Sequence, residues 1–125
     1  MALETLAEFS PEEILPIVPR KKHRFRVGDQ DIAVKTCSLR LQVFKQNLCC
    51  VSCGVVGSVF RLQRQPNRNE APHLNLYGLK EERWVLMTQD HIQPRSKGGK
   101  DRLQNLQTMC AECNEEKGST YEITG

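Results

Sequence analysis

Four of the six cysteines stand in two Cys-x-x-Cys pairs, separated by a long intervening segment. The pairs are Cys50 with Cys53 and Cys110 with Cys113. Four thiolates at this spacing can close a tetrahedral zinc site, and because they leave no open position the zinc is expected to be structural. Cys49 adjoins the first pair but lacks the two-residue gap to Cys53, so it is interpreted as a packed thiol.

A second set of residues between and beside these pairs is suited to metal binding and proton transfer: Asp90, His91, Asn105 and Asn114, followed by Lys117. A histidine that titrates near neutral pH can take a proton from water. A carboxylate and an amide oxygen form a hard, oxygen-only pair that suits magnesium and leaves positions open for water and substrate. Such groups fit the hydrolysis of a phosphodiester.

Residues 48–119 resemble an HNH nuclease domain supported by a zinc ribbon, a member of the ββα-metal nucleases. The motifs occur in the family's order: Cys-x-x-Cys-Gly, Asp-His-Ile-x-Pro-x-Ser-x-Gly-Gly, Asn-Leu-Gln, and Cys-x-x-Cys-Asn-x-x-Lys-Gly. The third position of the family's name holds an asparagine here, Asn114, instead of a histidine.

The resemblance implies an α+β fold with a ββα core: a strand that ends in Asp90 and His91, an Ω-shaped loop, a strand carrying Asn105, and a helix presenting Asn114. It also implies roles. His91 would be the general base, and Asp90 and Asn114 would hold one divalent cation, Mg²⁺ or Mn²⁺. Asn105 would fix the loop and the imidazole orientation, and Lys117 would contact phosphate.

Each of these roles has a structural alternative. His91 could be a solvent-exposed histidine at a strand end, and Asn105 an ordinary turn residue. Asn114 could cap the helix that it opens, and Lys117 could complement the helix dipole. His73 is interpreted as the structural start of a strand, with a role in the site left open.

The bulk composition is consistent with one compact domain. The chain has 125 residues, a net charge of +3 and a pI near 8.6, which permits a polyanionic partner without demanding one. No signal peptide opens it, and no apolar run reaches the length of a membrane span, so a soluble protein of a reducing bacterial or phage-infected cytosol is expected. Residues 1–47 are predicted to form an N-terminal extension, and residues 48–125 the nuclease domain with its zinc knuckles.

The patterning predicts the elements in order: a short helix capped by Ser10, a hairpin of residues 24–27 and 32–36, a helix at 38–45, a strand at 55–62, a loop at 63–72, paired strands at 73–77 and 84–88, a return strand at 103–109, and a helix from Cys110 that Gly118 ends. The basic run at residues 20–26 has two interpretations. It is either an edge strand whose charges block association between sheets or an arm that contacts phosphates.

The sequence therefore favours a metal-dependent HNH endonuclease that nicks or cuts DNA and leaves a 5′ phosphate and a 3′ hydroxyl, as its family does. The alternative is a catalytically silent zinc-ribbon module that binds nucleic acid or a protein. Whether the protein is a monomer or a homodimer stays open.

Overall fold

The computed structural model describes residues 3–67 and 69–124 and has the α+β class expected from the sequence. Its strands are β1 (Glu4–Phe9), β2 (Lys22–Val27), β3 (Gln30–Lys35), β4 (Gly57–Arg64), β5 (His73–Lys80), β6 (Arg83–His91) and β7 (Leu106–Cys110). Its helices are α1 (Pro11–Ile14), α2 (Leu39–Gln46) and α3 (Ala111–Thr124). None of these helices has the length and hydropathy that a bilayer span requires.

The central sheet is antiparallel and has the order β1-β4-β5-β6-β7. The predicted pairing of two strands after residue 72 is confirmed, and the connecting turn is shorter than expected. Only Glu81 and Glu82 lie between Lys80 and Arg83, and both have positive φ, at 50° and 66°. This two-residue turn with positive φ matches the twist of the strands it joins. Strand β6 consequently runs without interruption into His91.

The predicted helix, hairpin and second helix of the N-terminal part are all present in the structure. Ser10 caps α1 through a capping box with Glu13, and Ser38 caps α2 by accepting a hydrogen bond from the Leu41 amide. The hairpin consists of β2 and β3 around the turn at Gly28 and Asp29. Each serine accepts a bond from an amide that the helix itself leaves unpaired, so the start of both helices could be placed from the sequence.

Strand β1 was not predicted from the sequence. It pairs with β4, and the register sets Phe9 opposite Phe60 and Glu4 opposite Arg64. Residues of the predicted extension therefore share one sheet with the predicted nuclease domain. The division into an extension and a nuclease domain at residue 47 stays a prediction, because β1 and β4 on either side of it pair within one sheet.

One hydrophobic core unites these parts. Phe44 of α2 lies against Phe60 of β4 with ring centroids 6.5 Å apart, and Leu62, Leu76 and Met87 from three strands are fully buried beside them. Full burial of such side chains contributes about 1.5–3 kcal/mol each. The core thus fixes the strands that end at Asp90 and His91.

Three predicted boundaries are wrong. Helix α3 continues through Gly118 to Thr124, because a glycine can adopt the left-handed cap but also tolerates a helix interior at a cost of about 1 kcal/mol. Residues 103–105 form a 3₁₀ turn, and the return strand begins at Leu106. The strand after the first knuckle is β4, which continues through Arg64. The predicted loop that follows it includes residue 68, which lies outside the described residues.

Candidate active site and metal centre

The four paired cysteines converge on one point. Their sulfur atoms all lie within 4.8 Å of one another, and the Sγ atoms of Cys53 and Cys110 are 3.9 Å apart. A tetrahedral zinc ion with Zn–S bonds of about 2.3 Å requires sulfurs roughly 3.8 Å apart. The geometry of this group, defined by Cys50, Cys53, Cys110 and Cys113 and called the four-cysteine cluster, therefore fits zinc.

Two knuckles shape the four-cysteine cluster. The amide of Cys53 points at the Cys50 sulfur, and the amide of Cys113 points at the Cys110 sulfur, each at 3.5 Å. Gly54 follows the first knuckle with φ of 81°, in the left-handed region that a tight turn needs. This glycine therefore permits the tight turn of the first knuckle.

The thiols of the cluster differ in acidity. Burial raises the pKa of the Cys50 thiol, but hydrogen bonds led by the Cys53 backbone lower it to about 6 overall. Burial raises the pKa of Cys113 to about 12, and its neighbour Cys110 adds to that rise. Four thiolates this close repel one another, so the full set of negative ligands forms only around a cation.

Two cations and an acid flank the cluster. Lys80 lies 3.4 Å from Glu112, and Arg83 forms an ion pair with the same carboxylate. Although desolvation lowers it, the pKa of Lys80 is raised overall by the sulfurs of Cys53 and Cys110. Positive charge beside sulfur ligands compensates the excess negative charge that four thiolates bring to one divalent ion.

Asp90 lies at the end of β6 and is almost buried. Its side chain is 10% exposed, and its Oδ2 accepts hydrogen bonds from Lys117 Nζ at 2.5 Å and Gln107 Nε2 at 2.9 Å. Lys117 also donates to the carbonyl oxygen of His91 at 3.0 Å. A buried carboxylate requires such compensation. Helix α3 thus delivers an ammonium group directly to the carboxylate at the strand end.

His91 is paired with a residue that sequence analysis did not single out, Asp101. The distance between His91 Nε2 and Asp101 Oδ1 is 2.6 Å. Asp101 also accepts two bonds from the Arg95 Nη2 atom, at 2.9 and 2.7 Å. The hydrogen bond to His91 and then those from Arg95 hold the pKa of Asp101 below its usual value. A histidine expected to act as a base needs a partner on its other nitrogen, and that requirement could have pointed to Asp101.

Asn105 holds the two ends of the loop at residues 92–105 together. Its Oδ1 accepts from the Gln93 amide at 2.8 Å, and its Nδ2 donates to the carbonyl oxygens of Gln93 and Lys100, both at 3.0 Å. Its backbone carbonyl accepts from the Ile92 amide at 2.8 Å. These contacts act on the loop that carries Asp101, the partner of His91.

Asn114 lies inside α3 and faces β6. Its Nδ2 donates to Thr88 Oγ1 at 2.9 Å and to the Gln89 carbonyl at 3.5 Å. A capping residue would accept a bond from the helix backbone, whereas this amide donates to a strand. The contacts orient the amide plane and leave its oxygen as the atom suited to a metal.

A pocket of about 220 Å³ brings most of the expected site residues together. Its lining consists of Asp90, His91, Pro94, Ser96, Asn114, Lys117 and Gly118. Asn105 supports this pocket from the loop and does not line it. His73 is exposed at the start of β5 and is likewise not part of the lining.

The two adjacent glycines of the loop, Gly98 and Gly99, are required for different reasons. Of the Gly98-Gly99 pair only Gly98 has positive φ, at 89°. A Cβ built at Gly99 would overlap the carbonyl oxygen of Gln93, whose partner is Asn105. Close approach of two backbone segments therefore excludes a side chain at position 99.

Residues 79–123 match the family model described as HNH endonuclease. The matched segment begins at the end of β5 and contains every expected site residue except the first cysteine pair. A search of curated proteins gave no match, and a search of solved structures gave none. The segment 79–123 is therefore similar to the HNH endonuclease family.

Proposed function

We propose that this protein is a metal-dependent endonuclease that hydrolyses the phosphodiester bonds of DNA. The observation that carries the proposal is the pocket in which Asp90, His91, Asn114 and Lys117 meet. It combines a base, two hard oxygen ligands and a cation within one small volume. The similarity of residues 79–123 to the HNH endonuclease family supports the same chemistry and the same substrate.

Strands β6 and β7 and helix α3 are proposed to form the ββα core. They follow one another in the chain, the strands are antiparallel, and α3 contacts both of them. Asp90 from β6 and Asn114 from α3 consequently face each other across the packing of helix on strands. A site made from two elements in this way is held by their packing and does not depend on one loop alone.

The carboxylate of Asp90 and the amide oxygen of Asn114 would hold a divalent cation, Mg²⁺ or Mn²⁺. Both are hard oxygen donors of the kind these ions prefer, and Asn114 is held in orientation by Thr88. When bound, the ion supplies Lewis-acid stabilisation of the negative charge that develops on the phosphate and the leaving oxygen.

His91 is proposed to take a proton from the attacking water at Nδ1, because Nε2 faces Asp101. With Asp101 accepting the Nε2–H, the neutral ring presents Nδ1 as a hydrogen-bond acceptor. After the transfer, the same carboxylate stabilises the imidazolium. A positioned base of this kind contributes about 10²–10⁴ in rate.

Lys117 is proposed to bind a phosphate oxygen of the substrate. Its ammonium group contacts Asp90, and its side chain is 30% exposed at the pocket. A lysine stem rotates freely, so the group can move from a carboxylate oxygen to a phosphate oxygen over a short distance. The four-cysteine cluster is proposed to bind structural zinc, separate from this chemistry.

Relaxation of a supercoiled plasmid in the presence of Mg²⁺ tests the proposal. The wild-type protein is expected to convert the plasmid to nicked or linear forms, whereas His91→Ala loses the activity. His73→Ala is the matched control, because it removes an exposed histidine away from the pocket and should cleave like wild type. Should wild type and His91→Ala be equally inert with normal zinc content and fold, the protein is a silent zinc-ribbon module.

A further inference from the structure

The hairpin of β2 and β3 presents a row of cations to solvent. Strand alternation places Lys22, Arg24 and Arg26 on the exposed face, while Phe25 between them is buried. Lys35 lies directly across from Lys22 and is exposed as well. Like charges placed opposite each other on a hairpin destabilise it. The local fold therefore does not explain the lysines at positions 22 and 35, whereas Arg26 lies opposite Asp31 without forming an ion pair with it.

These cations differ from those of the central sheet in their partners. Arg61, Arg64 and Arg83 each form an ion pair, with Glu8, Glu4 and Glu112 respectively. Within residues 3–67 and 69–118, no ion pair is made by any cation of the exposed row: Lys22, Arg24, Arg26 and Lys35. Their charge is thus available to a partner outside the protein.

The hairpin is a firm platform for this row. Phe25 is buried and its ring lies 4.8 Å from that of Phe9 in β1. At the base, the buried Thr36 hydroxyl donates to the Arg20 carbonyl at 2.6 Å. A partner would therefore meet cations on an ordered backbone, which reduces the entropy lost on binding.

The spacing of the row suits a phosphate backbone. Alternate residues of a strand are about 6.8 Å apart, because each residue advances about 3.4 Å. One DNA strand carries a phosphate for about every 3.4 Å of helix axis. Arg24 and Arg26 add guanidinium groups, which bind phosphate oxygens in a bidentate manner.

We propose that the exposed row of the hairpin, Lys22, Arg24, Arg26 and Lys35, binds the phosphate backbone of duplex DNA outside the pocket. The inference rests on the proposed function, since it assumes that DNA is the substrate. Backbone contacts of this kind position a duplex and carry no sequence information. The competing interpretation is that the charges only keep the open edges of β2 and β3 from pairing with other sheets.

Salt-dependent binding separates the two interpretations. The zinc-loaded 125-residue protein carrying His91→Ala is titrated with a fluorescent duplex of about 30 base pairs over a range of KCl concentrations. In this background, Arg24→Gln with Arg26→Gln should weaken binding and reduce the slope of log K against log salt by about 0.9 for each phosphate that is no longer neutralised. A second variant, Arg24→Lys with Arg26→Lys, should restore most of the slope.

The matched control is Arg61→Gln with Arg64→Gln, which makes the same change in net charge at two cations already paired with glutamates. It is expected to keep the parental slope. The inference is overturned if the hairpin variant keeps the parental slope, whether or not it self-associates. It is also overturned if the control variant weakens DNA binding as much as the hairpin variant does.

Plasmid cleavage by wild type is measured in parallel. Cleavage with an unchanged slope refutes the hairpin inference alone, whereas absence of both cleavage and binding refutes the proposed function and this inference with it.

Discussion

The imidazole of His91 is bonded to the carboxylate of Asp101 across the loop that separates β6 from β7, with 2.6 Å between Nε2 and Oδ1. Arg95, which lies in the same loop, forms an ion pair with this carboxylate. The base proposed for the reaction is therefore oriented by a residue ten positions further along the chain. Its orientation depends on the loop conformation that Asn105 stabilises.

Asp101→Ala is expected to lower kcat about 10–100-fold with KM little changed, the range seen when a group that orients an active-site ligand is removed. The ring would lose the acceptor that fixes the proton on Nε2. Asp101→Asn retains an acceptor oxygen and should recover part of the rate. Nitrogen-15 NMR of the histidine ring gives an independent measurement, since the Nε2–H tautomer should dominate in wild type and become mixed in Asp101→Ala.

Asp29→Ala is the control for this series, because Asp29 is an exposed aspartate in the turn of the β2–β3 hairpin. It should leave both kcat and the tautomer unchanged. An Asp101→Ala protein with wild-type kcat would remove Asp101 from the mechanism, whatever its effect on stability.

Lys117→Met should lower the free energy of unfolding by about 1–3 kcal/mol, because it leaves the carboxylate of Asp90 buried without its cation. The effect is expected to be smaller than for a fully buried pair, since the Lys117 side chain is 30% exposed. A divalent ion can take over as counter-charge, so adding Mg²⁺ should raise Tm more in the variant than in wild type. Equal Tm shifts in the two proteins would contradict the idea that the divalent ion and the Lys117 ammonium group occupy the same position beside Asp90.

The residues that meet in the pocket could be grouped from the sequence because the motifs fix their order and their spacing. Asp90, His91, Asn114 and Lys117 line one pocket, although they span β6 and α3. Asp101 could not be found in this way, since an aspartate in a Gly-rich loop has no periodicity and its contact with His91 depends on the closure of the loop.

The elements that the sequence did not reveal depend on long-range pairing. Strand β1 is short and carries glutamates at positions 4 and 8, and these become favourable in a strand only because Arg64 and Arg61 lie beside them in β4. The extent of α3 was also not revealed by the sequence. Local preference would end the helix at Gly118, but the helix continues to Thr124.

Cys53→Ser and Cys110→Ser are expected to abolish zinc binding and to unfold the domain, because structural zinc contributes on the order of 10 kcal/mol or more in small sites. Cys49→Ser is the matched control. It removes the thiol next to the first knuckle but outside the four-cysteine cluster, and zinc should remain bound. Metal analysis and circular dichroism of the three proteins give the comparison. A Cys53→Ser protein that keeps both zinc and fold would show that the four-cysteine cluster is assigned wrongly.

Gly99→Ala is expected to abolish cleavage while the four-cysteine cluster keeps its zinc. The new Cβ would overlap the Gln93 carbonyl oxygen, so the loop must move away from Asn105, and Asp101 moves with it. Gly118→Ala provides the contrast for stability alone, because Gly118 lines the pocket, and a Cβ there meets nothing within 4 Å inside α3. That change should stabilise the helix by up to about 1 kcal/mol. Both variants are compared with wild type by zinc content and thermal melting, and Gly99→Ala is also compared with wild type by plasmid relaxation. Normal cleavage by Gly99→Ala would mean that the orientation of His91 does not depend on the conformation of the loop at residues 92–105.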